Sequence, residues 1–144
     1  MKRILMFLSL MSFLPIFFYC GTGPSPRVVV MDFIEAVNKA DTTLIEKYLD
    51  IDGYAQEKLK ELPKAERQQI SPKFKEHLKA DFLGNGLTRL LWQSKMIVVN
   101  KEDISGNTAV VEVTFIDKET GITVYTNAKL HKINKRWMIY YIKD

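Results

Sequence analysis

The sequence predicts an α+β fold in which N-terminal helices cover one face of a four-stranded antiparallel sheet. Three observations carry this. Residues 96–143 form four apolar or alternating runs rich in β-branched and aromatic residues, broken by turn residues. Residues 26–92 repeat apolar side chains at helical spacing behind serine or aspartate caps. The turns between the strand runs are short, and parallel neighbours need a long crossover, so sequence neighbours pair as an antiparallel meander.

In chain order, residues 1–19 read as a signal peptide, 20–25 as an anchor cysteine with a linker, and 26–144 as one α+β domain. Met1-Lys2-Arg3 is basic, and Ile4 to Tyr19 carries no charge. That run is short for a spanning helix, which needs about 20 apolar residues, and Pro15 interrupts it. Cys20 ends the run and is the chain's single cysteine, so no internal disulfide can form. A cysteine in that place resembles a bacterial lipoprotein signal, in which the cysteine becomes the first mature residue and carries diacylglycerol. Phe17 and Tyr19 stand where that family prefers an aliphatic and a small residue. An ordinary signal cut nearby and an uncleaved membrane-embedded segment are the other readings.

Ser25-Pro26 is a helix start, with a capping hydroxyl before a proline that has no amide to leave unpaired. Val29 or Val30, Phe33, Ile34 and Val37 then share one face. Asp41 or Thr42 caps a second helix bearing Leu44, Ile45, Tyr48 and Leu49. Residues 51–70 are heavily charged and broken at Pro63, which reads as a solvated helical face. Ser71-Pro72 repeats the start signal, and Phe74, Leu78 and Phe82 predict an inward-packing helix. Gly84-Asn85-Gly86 should stop it, before a helical turn or two carrying Leu87, Leu90, Leu91 and Trp92.

The strands follow. Lys95 to Asn100 is an apolar run, with a turn expected over Ile104 to Asn107. Val111, Val113 and Phe115 alternate with Glu112 and Thr114. Asp117 to Gly121 closes a second hairpin, Ile122 to His131 alternates again, and Asn134-Lys135 turns into Trp137 to Ile142.

Nearly half the chain is apolar, which is enough for a core. The net charge is +4; without Lys2 and Arg3 it leaves 19 basic residues against 17 acidic ones, too weak a surplus to point to nucleic acid. His77 and Asp81, four apart on one helix, are the first candidates for acid/base chemistry, because a carboxylate can orient an imidazole. Their bland reading is a solvated flank of the Phe74 stripe. Tyr125 is a candidate hydroxyl donor, with Tyr140 and Tyr141 beside it, and Asp32 is a second acid on a polar face. His131 lies opposite Leu130 and reads as exposed. A metal site is not expected, because the two histidines lie on separate elements with no acidic cluster around them, and no cofactor is expected. Serines fall at caps and turns with no nucleophile motif.

Four groups of residues together resemble a known superfamily. They are Pro26, Val29-Val30, Phe33-Ile34 and Ala36-Val37; Asp41 to Ile45 with Tyr48-Leu49; Ile104 to Val111 with Val113; and Lys135 to Ile139 with Ile142. The chain resembles the nuclear transport factor 2-like superfamily, specifically its small bacterial lipoprotein branch. The resemblance implies a cystatin-like, cone-shaped fold with a curved sheet around a long helix. Some relatives are isomerases or dehydratases with acid/base groups in the cone, and many bind ligands or partners. The expectation is therefore an exported, lipid-anchored protein of the bacterial cell envelope. It would act as a non-catalytic module binding a small hydrophobic ligand or an envelope protein at a membrane surface, with a homodimer as a further expectation. The alternative is a small-molecule enzyme using His77, Asp81 or Tyr125 in the cone.

Overall fold

The computed structural model describes residues 23–64, 67 and 70–143. The signal peptide and Cys20 lie outside the described residues. Five helices precede four strands: α1 (Pro26–Lys39), α2 (Thr42–Tyr48), α3 (Ile51–Glu61), α4 (Pro72–Ala80), α5 (Leu87–Gln93), β1 (Lys95–Ser105), β2 (Thr108–Asp117), β3 (Thr123–Ile133) and β4 (Arg136–Ile142). The sheet has the order β1-β2-β3-β4, all antiparallel, as the short turns require.

Local chemistry sets the helix ends. Ser25 Oγ accepts from the Val28 N–H at 3.4 Å and Pro26 opens α1. Asp41 Oδ1 accepts from the Leu44 N–H at 3.0 Å to start α2, and Ser71 Oγ does the same for Phe74 at 3.1 Å. At the far end of α1, Arg89 supplies what the helix lacks: its guanidinium donates to the Val37 and Asn38 carbonyls at 3.0 Å each. Helix α1 buries Val29, Val30, Phe33, Ile34, Ala36 and Val37 against the sheet face formed by Val111, Val113, Phe115, Ala128, Leu130 and Ile139. Each large apolar side chain so covered contributes roughly 1.5–3 kcal/mol.

Two expectations are corrected, the inward packing of α4 and the place of the first hairpin turn. Helix α4 does not pack inward: Phe74 and Leu78 are only half-buried, because α4 lies against α3 and away from the sheet. Phe82 alone of that stripe is fully buried, carried inward by the turn after the helix. Helix α5 buries Trp92 but leaves Leu87, Leu90 and Leu91 exposed, since a two-turn helix reaches α1 and β1 with one edge only. Strand β1 runs on through Ile104 to Ser105, so the turn is Gly106-Asn107. It gets there through a bulge between Val99 and Glu102. Arg27 covers that bulge, donating to the Asn100 carbonyl at 2.7 Å and the Val99 carbonyl at 3.2 Å.

Helix α3 stops at Glu61, ahead of Pro63, and is tied to the edge strand at both ends. At its start, Leu49 bridges Ile139 in parallel and the Asp50 N–H donates to the Ile139 carbonyl at 2.8 Å. At its finish, the Tyr141 hydroxyl donates to Glu61 at 2.7 Å. Partial burial raises the Glu61 pKa, but the Tyr141 hydroxyl and Lys58 outweigh it and hold the carboxyl below its ordinary range.

Candidate functional site

The interior between α1 and the buried face of β2 to β4 is packed with rings, while a shallow groove of about 400 Å³ remains at the surface between α1 and β1, lined by Met31, Ile34 and Ile97 to Val99. Phe82 meets Phe33 and Tyr54 edge-on at 5.4 Å each, and Trp92 at 5.9 Å. Trp92 also meets Phe33 at 6.1 Å and Phe115 at 5.6 Å. Such pairs add about 0.5–1.5 kcal/mol beyond area burial. The polar side chains buried among the described residues are Thr88 and Thr114. The Trp92 Nε1–H is buried with no acceptor among the described residues.

None of the sequence candidates enters this interior. His77 is exposed on α4, and Asp81 ends that helix half-exposed, its carbonyl accepting from the Arg89 N–H at 3.0 Å. Tyr125 lies on the outer sheet face with 79 % of its surface exposed. Asp32 accepts a hydrogen bond from the Tyr48 hydroxyl at 3.0 Å. His77 and Asp81 share the end of one helix, and Tyr125 is not brought to them.

An open concavity of about 640 Å³ lies at the other end of α1. It is made by the C-terminal end of α2 (Lys47, Tyr48) and by the β3–β4 hairpin (Lys132, Lys135, Arg136, Trp137), with Gly23, Pro24 and Asn107 on its rim. The Lys132 N–H donates to the Asn107 carbonyl at 2.9 Å and so locks the two neighbouring hairpin tips together. The Lys47 ammonium stands 4.8 Å from the centre of the Tyr48 ring, and Lys132 stands 4.7 Å from that of Trp137. No acidic side chain lines the concavity, and its four cations form no ion pair among the described residues. Asp32, engaged by Tyr48, is the carboxylate the hydrogen bonding places beside it.

The turn that presents this charge is strained. Asn134 and Lys135 form the two-residue loop with φ of 50° and 65°. Both positions of such a turn need positive φ, and Asn-Gly is the pair that adopts it most cheaply. Lysine in glycine's place costs about 1–2 kcal/mol.

His131 is not simply exposed. Its Nε2 lies 2.8 Å from Asp50 Oδ2, and its ring lies against Tyr140 with centres 4.8 Å apart. Asp50 is the N-cap residue of α3, yet its carboxylate makes no cap and turns to His131 instead. Gly53 permits this: a Cβ there would come within 2.5 Å of Asp50 Oδ2 and 2.8 Å of the Tyr140 Cβ. An aspartate holding an imidazole is the beginning of a general base. The hydroxyl nearest in register, that of Thr108, is committed to the Ser105 carbonyl at 3.0 Å. The separation of the partners, 81 positions apart, hides this pair from local pattern reading.

No protein-family model matches the chain, and no curated protein matches it. A solved structure does. The crystal structure of a Campylobacter jejuni protein, named there a "putative NTF2-like transpeptidase", superposes with a TM-score of 0.51 at 14 % identity, covering 81 % of this chain and 97 % of that one. The fold is NTF2-like. At that identity the likeness bears on architecture: helices followed by a four-stranded antiparallel sheet, as the packing residues from Pro26 onward implied. The core of this chain is packed with aromatic rings at its α5 end, and an open concavity lies at its hairpin end.

Proposed function

We propose that this is an exported, lipid-anchored protein of the bacterial cell envelope, and that its domain is a non-catalytic binding module held at a membrane surface. The observation that supports it is the contrast between the packed interior and the open, basic concavity at the hairpin end. The interior, where an acid/base enzyme of this fold would work, is filled with Phe33, Phe82, Trp92 and Phe115. The concavity that is open carries cations and aromatic faces, which bind without a nucleophile or a general acid.

The anchor part rests on sequence. Cys20 follows an uncharged run behind a basic start, and stands three residues before Gly23 on the rim of the concavity. Three residues span at most about 11 Å, so a lipid on Cys20 would hold the concavity against the bilayer. No helix among the described residues is long and apolar enough to cross a membrane. Multiple acyl chains give stable attachment, at about 0.8 kcal/mol per buried methylene.

The test is fractionation of cells fed a labelled fatty acid. The wild-type chain should carry the label and remain with membranes after carbonate washing. Cys20→Ala should carry none. Equal labelling of both chains, or label on neither, overturns the anchor.

One observation favours a second reading, an acid/base enzyme. The Asp50–His131 pair with Tyr140 beside it has the composition of a catalytic base, although it lies on the outer face of the sheet and not in the cone. Under that reading, replacing His131 with Gln would abolish turnover while leaving ligand binding at the hairpin end intact.

A further inference from the structure

We infer that the concavity at the hairpin end binds a phosphate-headed amphiphile, supplied by the anionic phospholipids of the bilayer beside which the domain is held. This rests on the binding-module reading and names the ligand class of that site. The argument begins with charge. Lys47 of α2 and Lys132, Lys135 and Arg136 of the β3–β4 hairpin line one space, and no carboxylate among the described residues lines it with them. Cations gathered without counter-charges repel one another, and an anion in their midst removes that repulsion. Arg136 offers a planar fork of donors suited to phosphate oxygens.

The floor adds the second half of the chemistry. Tyr48, Trp137 and Val29 form an apolar base under the cations. Tyr48 and Trp137 keep 6 % and 8 % of their surface exposed, a small apolar patch that a bare inorganic ion would leave uncovered. A headgroup with the first carbons of its acyl chains would cover it. The amides at the start of α1 are not part of the site, because the Arg27 N–H is taken by Glu102 at 2.6 Å and the Val28 N–H by Ser25. The four cationic side chains carry the charge that would meet the anion.

The turn is the independent observation. Lys135 occupies a left-handed position, φ 65°, that glycine would fill without strain. A residue that destabilises its own turn while adding a charge to the rim is expected where the charge is used. The rim also holds Gly23 and Pro24, so the concavity opens beside the end of the domain from which the Cys20 tether leaves.

The test uses the full-length chain in a neutral maltoside detergent, so that every variant carries the same N-terminal segment. Trp137 reports on the concavity by fluorescence, while the other tryptophan, Trp92, is buried in the sealed interior. Three probes are titrated: short-chain phosphatidylglycerol, short-chain phosphatidylcholine and inorganic phosphate. Phosphatidylglycerol should bind at least about tenfold more tightly than either of the others, with affinity falling as salt rises. Lys132→Gln and Arg136→Gln should each weaken it about fivefold. Lys135→Gly should weaken it similarly while raising the melting temperature, a combination that loss of structure cannot produce. Lys73→Gln, on exposed α4, should change nothing. Equal binding of phosphatidylcholine overturns the anionic headgroup but leaves a binding module. Equal binding of inorganic phosphate overturns the lipid source. No response of Trp137 to any probe, or groove variants that behave like Lys73→Gln, overturns the site itself.

Discussion

The two ends of the cone are built from the same helix and the same sheet and come out opposite. At the α5 end, α1 presents Phe33 to Phe82 and Trp92, and β2 presents Phe115 to Trp92. The β2–β3 turn closes over this end, with Lys118 donating to the Gln93 carbonyl at 2.8 Å. At the hairpin end, the wall opposite α1 ends in hairpin tips, and the side chains there are cations on aromatic floors. Rings close a gap because they meet edge to face and fill volume. The four cations form no ion pair among the described residues, and like charges do not pack together as rings do. One fold thus has a packed end and an open, basic end along the axis of α1, which the proposed reading assigns to stability and recognition.

The largest effect should come from breaking the sealed end. Phe82→Ala removes the ring that touches Phe33, Tyr54 and Trp92, and should cost about 3–5 kcal/mol in chemical denaturation. Lys132→Gln with Arg136→Gln at the open end should change stability by less than about 0.5 kcal/mol. If both ends lose comparable stability, the division of duties is wrong.

Next is the tie between α3 and the sheet. Asp50→Ala removes the side chain that ties the start of α3 to His131, and should cost about 1–2 kcal/mol. Amide exchange is the sharper measurement. Protection should fall through the first turn of α3 and leave the Phe82 cluster unchanged.

How much of this the sequence disclosed follows from how local each feature is. The meander, its order and the caps at Ser25, Asp41 and Ser71 were legible, because alternation and capping are properties of a few adjacent residues. Burial along α4 and α5 was not, since four-residue spacing defines a stripe without saying what lies opposite. Phe74 and Leu87 obey the pattern and find no sheet. The same gap separates His77 and Asp81 from any pocket. Lys47 and Lys132 lie 85 positions apart and meet only through the fold. One local clue was present: Lys135-Arg136-Trp137 follows Asn134, so a basic pair and an aromatic stand where Asn-Gly is the expected turn.

The smallest effects sit in the turns, and they distinguish the two ends most finely. At the open end, Lys135→Gly should stabilise the domain by about 1 kcal/mol, or roughly 4 °C in melting temperature, by relieving the left-handed lysine. At the sealed end the turn is held by a charge. The Thr120 N–H and hydroxyl donate to Asp117 Oδ1 at 2.8 and 2.9 Å, joined by the Glu119 N–H at 3.1 Å. Those bonds, Thr120 first, outweigh slight desolvation and hold the Asp117 carboxyl below its ordinary pKa, with Lys95 adding a little. A carboxyl depressed in the folded state stabilises that state above the ordinary pKa of about 4, and the advantage disappears as pH falls through the folded value. Asp117→Asn keeps an acceptor and removes the titration. The wild-type chain should therefore melt higher than Asp117→Asn at pH 7, and the two should converge below about pH 4. The gain from Lys135→Gly rests on backbone geometry and should persist across the same range. A gap at Asp117 that stays constant down to pH 2.5 would show that the sealed turn, too, is held by shape rather than charge.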